Sequence, residues 1–234
     1  QGEYQLTGIP RMHERPIKDL VDALRTLGCQ IEYLQNEGYP PLKIGKGDFK
    51  VDRVSIKGDV SSQYLTALLI ALPLLQKEIT IDIEGILISK PYIEITLTLL
   101  RQFGIEISHH DFESFTIPAD TKFTTPGTFF VESDASSASY FLALGALAGP
   151  LTVKGVGTSS IQGDIRFVDA LIEMGAEVEW GENEIYVSKP QSGVLRGIDL
   201  DCNHIPDAAM TLAILAVFAK GKTILRNIGS WRVK

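Results

Sequence analysis

The chain has 234 residues, 44% of them hydrophobic and 22% charged, a balance that excludes a disordered or fibrous protein. A formal net charge of −7 disfavours a general nucleic-acid or anionic-membrane surface, though not a small anion held by a few local groups. Cys29 and Cys202 show no framework spacing and suit a reducing cytoplasm, no signal peptide is legible, and the longest apolar runs (64–75 and 208–219) are too short to cross a bilayer.

In chain order, residues 4–6 read as a short strand. An amphipathic helix is predicted from Pro16, a residue suited to a first helical turn, to Gly28, with Ile17, Leu20, Val21, Leu24 and Leu27 on one face. A hairpin (30–34 with 42–44) and a strand (51–56) follow. The strand leads through Gly58-Asp59-Val60-Ser61-Ser62-Gln63-Tyr64 into a helix over 61–75 that carries Ala and Leu nearly all round, a pattern that predicts burial on every side. After strand 78–83, a second amphipathic helix presents Ile93, Leu97, Leu100 and Phe103 and ends at Gly104. Its hairpin pairs 105–107 with 115–117, and His109-His110 falls in the turn, solvated and without a third ligand at metal spacing.

The pattern then returns. Strand 127–131 precedes an apolar helix over 135–148 and strand 151–156. A third amphipathic helix presents Phe167, Val168, Leu171 and Met174, ends at Gly175, and precedes a hairpin of 177–180 with 184–187. Strand 198–201, an apolar helix over 206–219 and strand 222–227 complete the sequence. Each terminal Gly suits a left-handed C-cap. Gly28, Gly104 and Gly175 lie 76 and 71 residues apart, so a unit of strand, apolar helix, strand, amphipathic helix and hairpin repeats. Such crossovers imply α/β architecture with mixed sheets and helices packed on them. The chain begins and stops in mid-repeat, which reads as a fragment, and Glu132-Ser133-Asp134 is the expected crossover between domains 1–132 and 133–234.

The chemistry is expected at the strand-to-helix joints, where unpaired backbone N–H groups and the helix dipole favour anions. A plain N-cap accounts for Ser61 and Ser62 about as well as a site does, but two hydroxyls with the Gln63 carboxamide exceed what one cap requires, which tilts the reading towards an anion or polyol site. Ser89-Lys90-Pro91-Tyr92 opens a helix with hydroxyl, ammonium and phenol together; a capped helix with a packed Tyr is the plainer reading. Arg11 sits in a turn before a helix, with Arg15 after it; the dipole does not favour a cation there and a bound anion explains two of them, although a lone surface Arg is more often only that. Asp207 falls in the first turn of an apolar helix, a place an acid favours with or without a catalytic role. Walker, Rossmann, zinc and nucleophile-elbow patterns are absent from the sequence.

Taken together, "GIPRMHERPI", "GDVSSQYLTALL", "SKPYIEITL", "SDASSASYFLALGALAG", "QGDIRF", "NHIPDAAMTLA" and "WRVK" resemble the bacterial 5-enolpyruvylshikimate-3-phosphate (EPSP) synthases along the whole chain. The resemblance implies an inside-out, pseudo-three-fold α/β fold of βαβαββ units in two domains that close on substrate, here truncated at both ends. It implies transfer of the enolpyruvyl group of phosphoenolpyruvate to the 5-hydroxyl of shikimate 3-phosphate, in the cytoplasm, by a monomer that needs no metal or cofactor. Residue by residue it implies that Ser61, Ser62, Ser89, Tyr92 and Lys234 hold shikimate 3-phosphate, that Gln63 touches both substrates, that Arg11 holds phosphoenolpyruvate and that Asp207 is the base. Ser230 stands where relatives often carry Asn before the Trp, which shortens that side chain's reach. The family is the target of glyphosate, but the loop governing sensitivity lies outside these residues. Without the remaining cations the chain alone is expected to bind weakly and to show no turnover. A UDP-N-acetylglucosamine enolpyruvyl transferase relative and a non-catalytic scaffold are the alternatives.

Overall fold

The structure, a computed structural model, describes residues 2–229 and 231. It divides into two compact units, Gln1–Gly127 and Thr128–Lys234.

The first unit opens with β1 (Tyr4–Leu6), a 3-10 turn (Pro10–Glu14), α1 (Lys18–Thr26), β2 (Cys29–Tyr33) and β3 (Leu42–Gly47). These strands form an antiparallel sheet in the order β1-β3-β2. Then come β4 (Arg53–Lys57), α2 (Ser62–Ala71), β5 (Ile79–Glu84), α3 (Lys90–Gln102), β6 (Ser108–His110) and β7 (Ser114–Ile117), in a sheet ordered β4-β5-β7-β6. In it β4 and β5 run parallel, as a strand–helix–strand crossover requires, and the hairpin closes antiparallel. This is one whole βαβαββ unit. Its core gathers Leu65, Leu68 and Leu69 of α2, Ile93 of α3, and Ile79, Ile81 and Phe115 of the sheet.

The second unit repeats the same grammar. It comprises α4 (Ala135–Ala148), β8 (Leu151–Lys154), α5 (Phe167–Glu173), β9 (Glu177–Trp180), β10 (Glu184–Ser188), β11 (Asp199–Asp201), α6 (Ala209–Phe218) and β12 (Ile224–Arg226). The order β8-β10-β9 copies β1-β3-β2 and the β5-β7-β6 part of the larger sheet, and the parallel pair β11-β12 copies β4-β5. Small residues let α4 sit close on its sheet: a Cβ added at Gly145 meets Val187 Cγ1 at 2.4 Å.

The amphipathic helices end as the glycine spacing predicts. Gly28, Gly104 and Gly175 take φ of +103°, +81° and +98° and turn the chain into the next hairpin.

Several expectations are corrected. Helix α1 starts at Lys18, not Pro16, because the Ile17 N–H is spent on Gly38 O (2.8 Å) and Ile17 itself is non-helical. Residues 105–107 are not a strand; the Ile105 N–H returns to Leu100 O (2.8 Å) to finish α3, so pairing begins only at Ser108. His109 and His110 therefore lie in β6 rather than in the turn, which is made by Asp111 and Phe112 at positive φ, and the His109 ring packs 4.5 Å from Phe112 and 5.5 Å from Phe115. Residues 127–131 form no strand, and Phe130 and Val131 are exposed.

The apolar helices are not buried on every side either. They pack on their sheets, and α4 and α6 on each other, but α4 leaves Tyr140, Phe141 and Leu144 exposed, and α6 leaves Met210, Ile214, Val217 and Phe218 exposed. An apolar circumference states what a helix prefers; burial also needs a covering partner, and this chain supplies one for part of each circumference.

Candidate functional site

In the first unit the amino ends of α1, α2 and α3 lie at one edge, and backbone geometry puts them there. Because β4 and β5 are parallel neighbours, the loops that leave their carboxyl ends, each leading to a helix, must emerge side by side. The loops are bonded together: Gly58 N donates to Glu84 O and Ile88 N donates to Gly58 O, both at 3.0 Å. Gly58 has no room for a side chain, since a Cβ there meets Ile83 at 2.6 Å and the Leu87 backbone at 3.0 Å. The start of α1 is drawn to the same edge by an ion pair of Lys57 and Asp19 (3.3 Å) and by the Tyr64 hydroxyl, which donates to Pro16 O (2.5 Å). Deeper down, Thr66 Oγ1 and Thr96 Oγ1 bridge α2 and α3 at 3.0 Å.

The joints thus bring the Ser61-Ser62-Gln63 stretch beside Ser89. Ser61 is the N-cap of α2, and its hydroxyl accepts from Gln63 N at 3.3 Å. Ser62 begins the helix and is buried, whereas the Gln63 side chain is exposed. Ser89 differs from an ordinary cap. It takes φ +56°, a left-handed conformation that costs a non-Gly residue on the order of 1 kcal/mol, yet its side chain caps nothing in α3. Neither α2 nor α3 carries an acid in its first turn, so the positive ends of both dipoles are left unneutralised by their own helices. Helix α1 is different, because Asp19 already occupies its first turn.

Around this edge, Tyr92 is half-buried in the first turn of α3, where its carbonyl accepts from Thr96 Oγ1 (3.0 Å). The Lys90 ammonium turns towards the Phe112 ring, 5.1 Å from its centroid, so it is not held with the serine hydroxyls. Arg11 sits in the 3-10 turn with 78% of its side chain exposed, paired to Glu14 at 2.5 Å. His13 closes that turn by accepting from Gly8 N (3.4 Å) and meeting Thr7 Oγ1 (3.1 Å).

The second unit treats its helix ends differently. At α4 the Asp134 carboxylate accepts from Ser137 N (3.0 Å) and Ser137 Oγ (2.5 Å), and those bonds hold its carboxyl below the usual carboxylate range. Gln162 accepts from Ala135 N (2.9 Å), and Ser136 donates to the buried Asp164. The "DASSAS" joint is therefore closed by the protein's own acids and amide, although its sequence looks like the open serine joint of α2. Glu132, expected at the end of the first domain, belongs structurally to the second unit: its carboxylate accepts from Ser160 Oγ, Ile161 N (3.0 Å) and Gln162 Nε2 (2.8 Å).

Asp207 is half-buried in the turn that precedes α6, not inside the helix. Asp201 braces the start of that turn, accepting from Asn203 N and Asn227 Nδ2, each at 2.9 Å, which lowers its own carboxyl's pKa. Ser230 and Lys234 lie outside the described residues. A cavity of about 400 Å³ at the carboxyl end of α5, lined by Gly175, Glu177 and Arg196 among others, contains none of these residues. Sequence reasoning missed the tie made by Tyr64, whose only signal was a phenol three residues after the cap of a largely apolar helix.

Comparison with known proteins gives one family. A family profile described as EPSP synthase (3-phosphoshikimate 1-carboxyvinyltransferase) matches residues 1–234. The chain is 59% identical to the 3-phosphoshikimate 1-carboxyvinyltransferase of Ralstonia pickettii and 57% identical to that of Vibrio atlanticus, each over 100% of this chain. It spans about half the length of these relatives, 55% and 54%. Among solved structures, EPSP synthase from Acinetobacter baumannii superposes with a TM-score of 0.77 at 23% identity, covering 100% of this chain and 53% of that one. The enolpyruvyl transferase NikO from Streptomyces tendae superposes with a TM-score of 0.65 at 18% identity, covering 96% and 53%. The fold is that of the enolpyruvyl transferases, as the repeats and the motifs together implied.

Proposed function

The chain belongs to the EPSP synthase family, and from that premise we propose that it forms part of an enzyme moving the enolpyruvyl group of phosphoenolpyruvate onto the 5-hydroxyl of shikimate 3-phosphate, with release of phosphate. The observation that carries the reading is the shared edge of α2 and α3, where backbone hydrogen bonds join the loops that lead to Ser61, Ser62 and Ser89 and neither helix carries an acid in its first turn. A phosphate-bearing substrate suits that edge because each hydroxyl donates a charge-assisted hydrogen bond and the dipoles oppose its charge.

In this reading Ser61, Ser62 and Ser89 hold the shikimate phosphate and ring hydroxyls, and Tyr92 lines the same site. Lys234 adds a cation and Ser230 a short donor, while Gln63 addresses both substrates. Arg11 releases Glu14 and takes phosphoenolpyruvate in its place, since one exposed ion pair is worth little and a multiply charged anion outcompetes it. Asp207 accepts the proton of the 5-hydroxyl as that oxygen attacks C2 of phosphoenolpyruvate and C3 takes up a proton. The tetrahedral adduct then loses phosphate to restore the double bond. The residues contribute orientation and charge compensation. The protein acts in the cytoplasm as a monomer and belongs to the family that glyphosate targets; among the described residues no helix is long and apolar enough to cross a membrane.

The test is phosphate release by the full-length protein given both substrates. Turnover that depends on shikimate 3-phosphate, and a rise of about tenfold or more in its KM on Ser62→Ala, are expected for loss of a hydrogen bond to a charged group. Release without shikimate 3-phosphate, or none with it, overturns the reading.

A further inference from the structure

Two hydroxyls join α2 and α3 one turn below the edge that carries the serines. Thr66 Oγ1 and Thr96 Oγ1 lie 3.0 Å apart, and Thr96 Oγ1 also donates to Tyr92 O at 3.0 Å. A threonine hydroxyl has one proton, so with Thr96 donating to the carbonyl it is Thr66 that donates across. Bonding back to the fourth residue before it is ordinary for a helical threonine; accepting from a neighbouring helix as well makes Thr96 a bridge. Residues four apart share a helix face, so Thr66 marks the face of α2 that carries Ser62, and Thr96 the face of α3 that carries Tyr92. The contact turns those two faces towards each other, in keeping with Ser62 being only 8% exposed at the first position of its helix.

We propose that Thr66 and Thr96 are positioning residues: their bond fixes how α2 is turned against α3 and so holds Ser62 and Tyr92 at the spacing that shikimate 3-phosphate fits. This rests on the substrate assignments proposed above. The other ties at this edge do a different job. The bonds of Gly58 N to Glu84 O and of Ile88 N to Gly58 O join the loops and set where the two helices begin, but they lie ahead of both helices and do not fix the rotation of either about its own axis. Leu65, Leu69, Ile93 and Leu97 share one apolar cluster, whose contacts hold the helices together without direction. The hydroxyl bond supplies direction, because a hydrogen bond weakens steeply as its angle departs from linear. Valine in place of either threonine keeps the shape and deletes the bond, so the fold persists while the two first turns lose their register.

The experiment uses the full-length protein with Thr96→Val, Thr66→Val and Thr96→Ser. In both valine variants the Kd of shikimate 3-phosphate, read by calorimetry, and its KM are expected to rise about three- to tenfold, the range for one neutral hydrogen bond, with KM for phosphoenolpyruvate held within about twofold. A merely destabilised fold lowers the active fraction instead, and with it kcat, at unchanged KM. Thr96→Ser keeps the hydroxyl and is expected to bind within about twofold of the parent. The Tyr64 and Tyr92 N–H groups donate to Ser61 O and Ser89 O in the two first turns. Their amide exchange is expected to quicken in the valine variants by a similar factor and not in Thr96→Ser, while that of Thr80 in β5 is unchanged. Unchanged exchange overturns the coupling whatever the protein catalyses. Faster exchange with both KM values unchanged or raised alike, or a serine variant no better than valine, overturns the positioning role. Should Thr96→Val fail to fold, Thr66→Val decides by the same readings. Absence of shikimate 3-phosphate binding and of turnover in the unaltered protein overturns the substrate assignment and the positioning role with it, and exchange then decides the coupling alone.

Discussion

Ser139 Oγ lies 2.9 Å from Thr211 Oγ1, a bond between two buried hydroxyls that joins α4 to α6. Ser139 spends its single proton on Ser136 O (2.6 Å), so Thr211 is the donor across the interface. The first unit repeats the device: Thr96 donates to Tyr92 O, which leaves Thr66 to donate from α2 to α3. In both units a hydroxyl that bonds back into its own helix accepts from the next one.

From this comes a prediction on stability. Ser139→Ala leaves the Thr211 hydroxyl buried without its acceptor and is expected to cost about 1–3 kcal/mol. Thr211→Val keeps the shape and loses the donor. The double variant is expected to cost less than the sum of the two, and a double-mutant cycle by urea denaturation measures the difference. Additive losses would show that the two hydroxyls do not interact.

Asp134 makes the stability of the second unit depend on pH. Its carboxyl titrates below the ordinary aspartate value because Ser137 donates to the ionised form. A group whose folded pKa is depressed contributes stability that is fully present above its unfolded pKa, about 4, and is lost as pH falls through the folded value. Asp134→Ala is expected to cost about 1 kcal/mol at pH 7, as for loss of an N-cap. The gap between variant and parent is expected to close as the pH falls below about 4, and thermal melts across that range check it.

Much of this architecture was legible because the signals that specify it are local. Glycines 28, 104 and 175 mark a backbone conformation other residues resist, and the alternating pairs 177–180 and 184–187 close into the hairpin of β9 and β10. The errors come where long-range partners decide. Residues 127–131 have strand composition, but among the described residues they join no sheet. The serines of 136–139 resemble those of 61–62, but Asp164 and Gln162, from a distant stretch of chain, answer them. Lys90, placed by sequence with the Ser89 hydroxyl, is drawn to Phe112 instead. Composition named the groups at each joint; only packing could say which are already engaged.

The capping glycines differ in a way that composition does not reveal. At Gly28 an added Cβ falls 2.1 Å from Asp48 O, besides the strain of φ +103°. At Gly175 the nearest atom is 3.9 Å away, so only the backbone strain remains. Gly175→Ala is therefore expected to cost about 1–2 kcal/mol and Gly28→Ala distinctly more, because backbone must move to clear the clash. Equal losses in chemical denaturation would mean that the loop at Asp48 yields freely.

The bare side of α6 makes the last prediction. Met210, Ile214, Val217 and Phe218 recur at helical spacing, and Val217 is 76% exposed. Tyr140 and Leu144 of the adjoining α4 are exposed as well. Apolar surface of that extent is uncommon on a monomeric soluble protein and is sought by hydrophobic dyes and by other copies of itself. The 234-residue chain is therefore expected to enhance the fluorescence of anilinonaphthalene sulfonate and to elute earlier in gel filtration as concentration rises. Ile214→Lys with Val217→Glu is expected to suppress both effects while leaving the melting temperature nearly unchanged, since neither side chain is buried in the parent. Dye binding that persists in the double variant would place the sticky surface elsewhere.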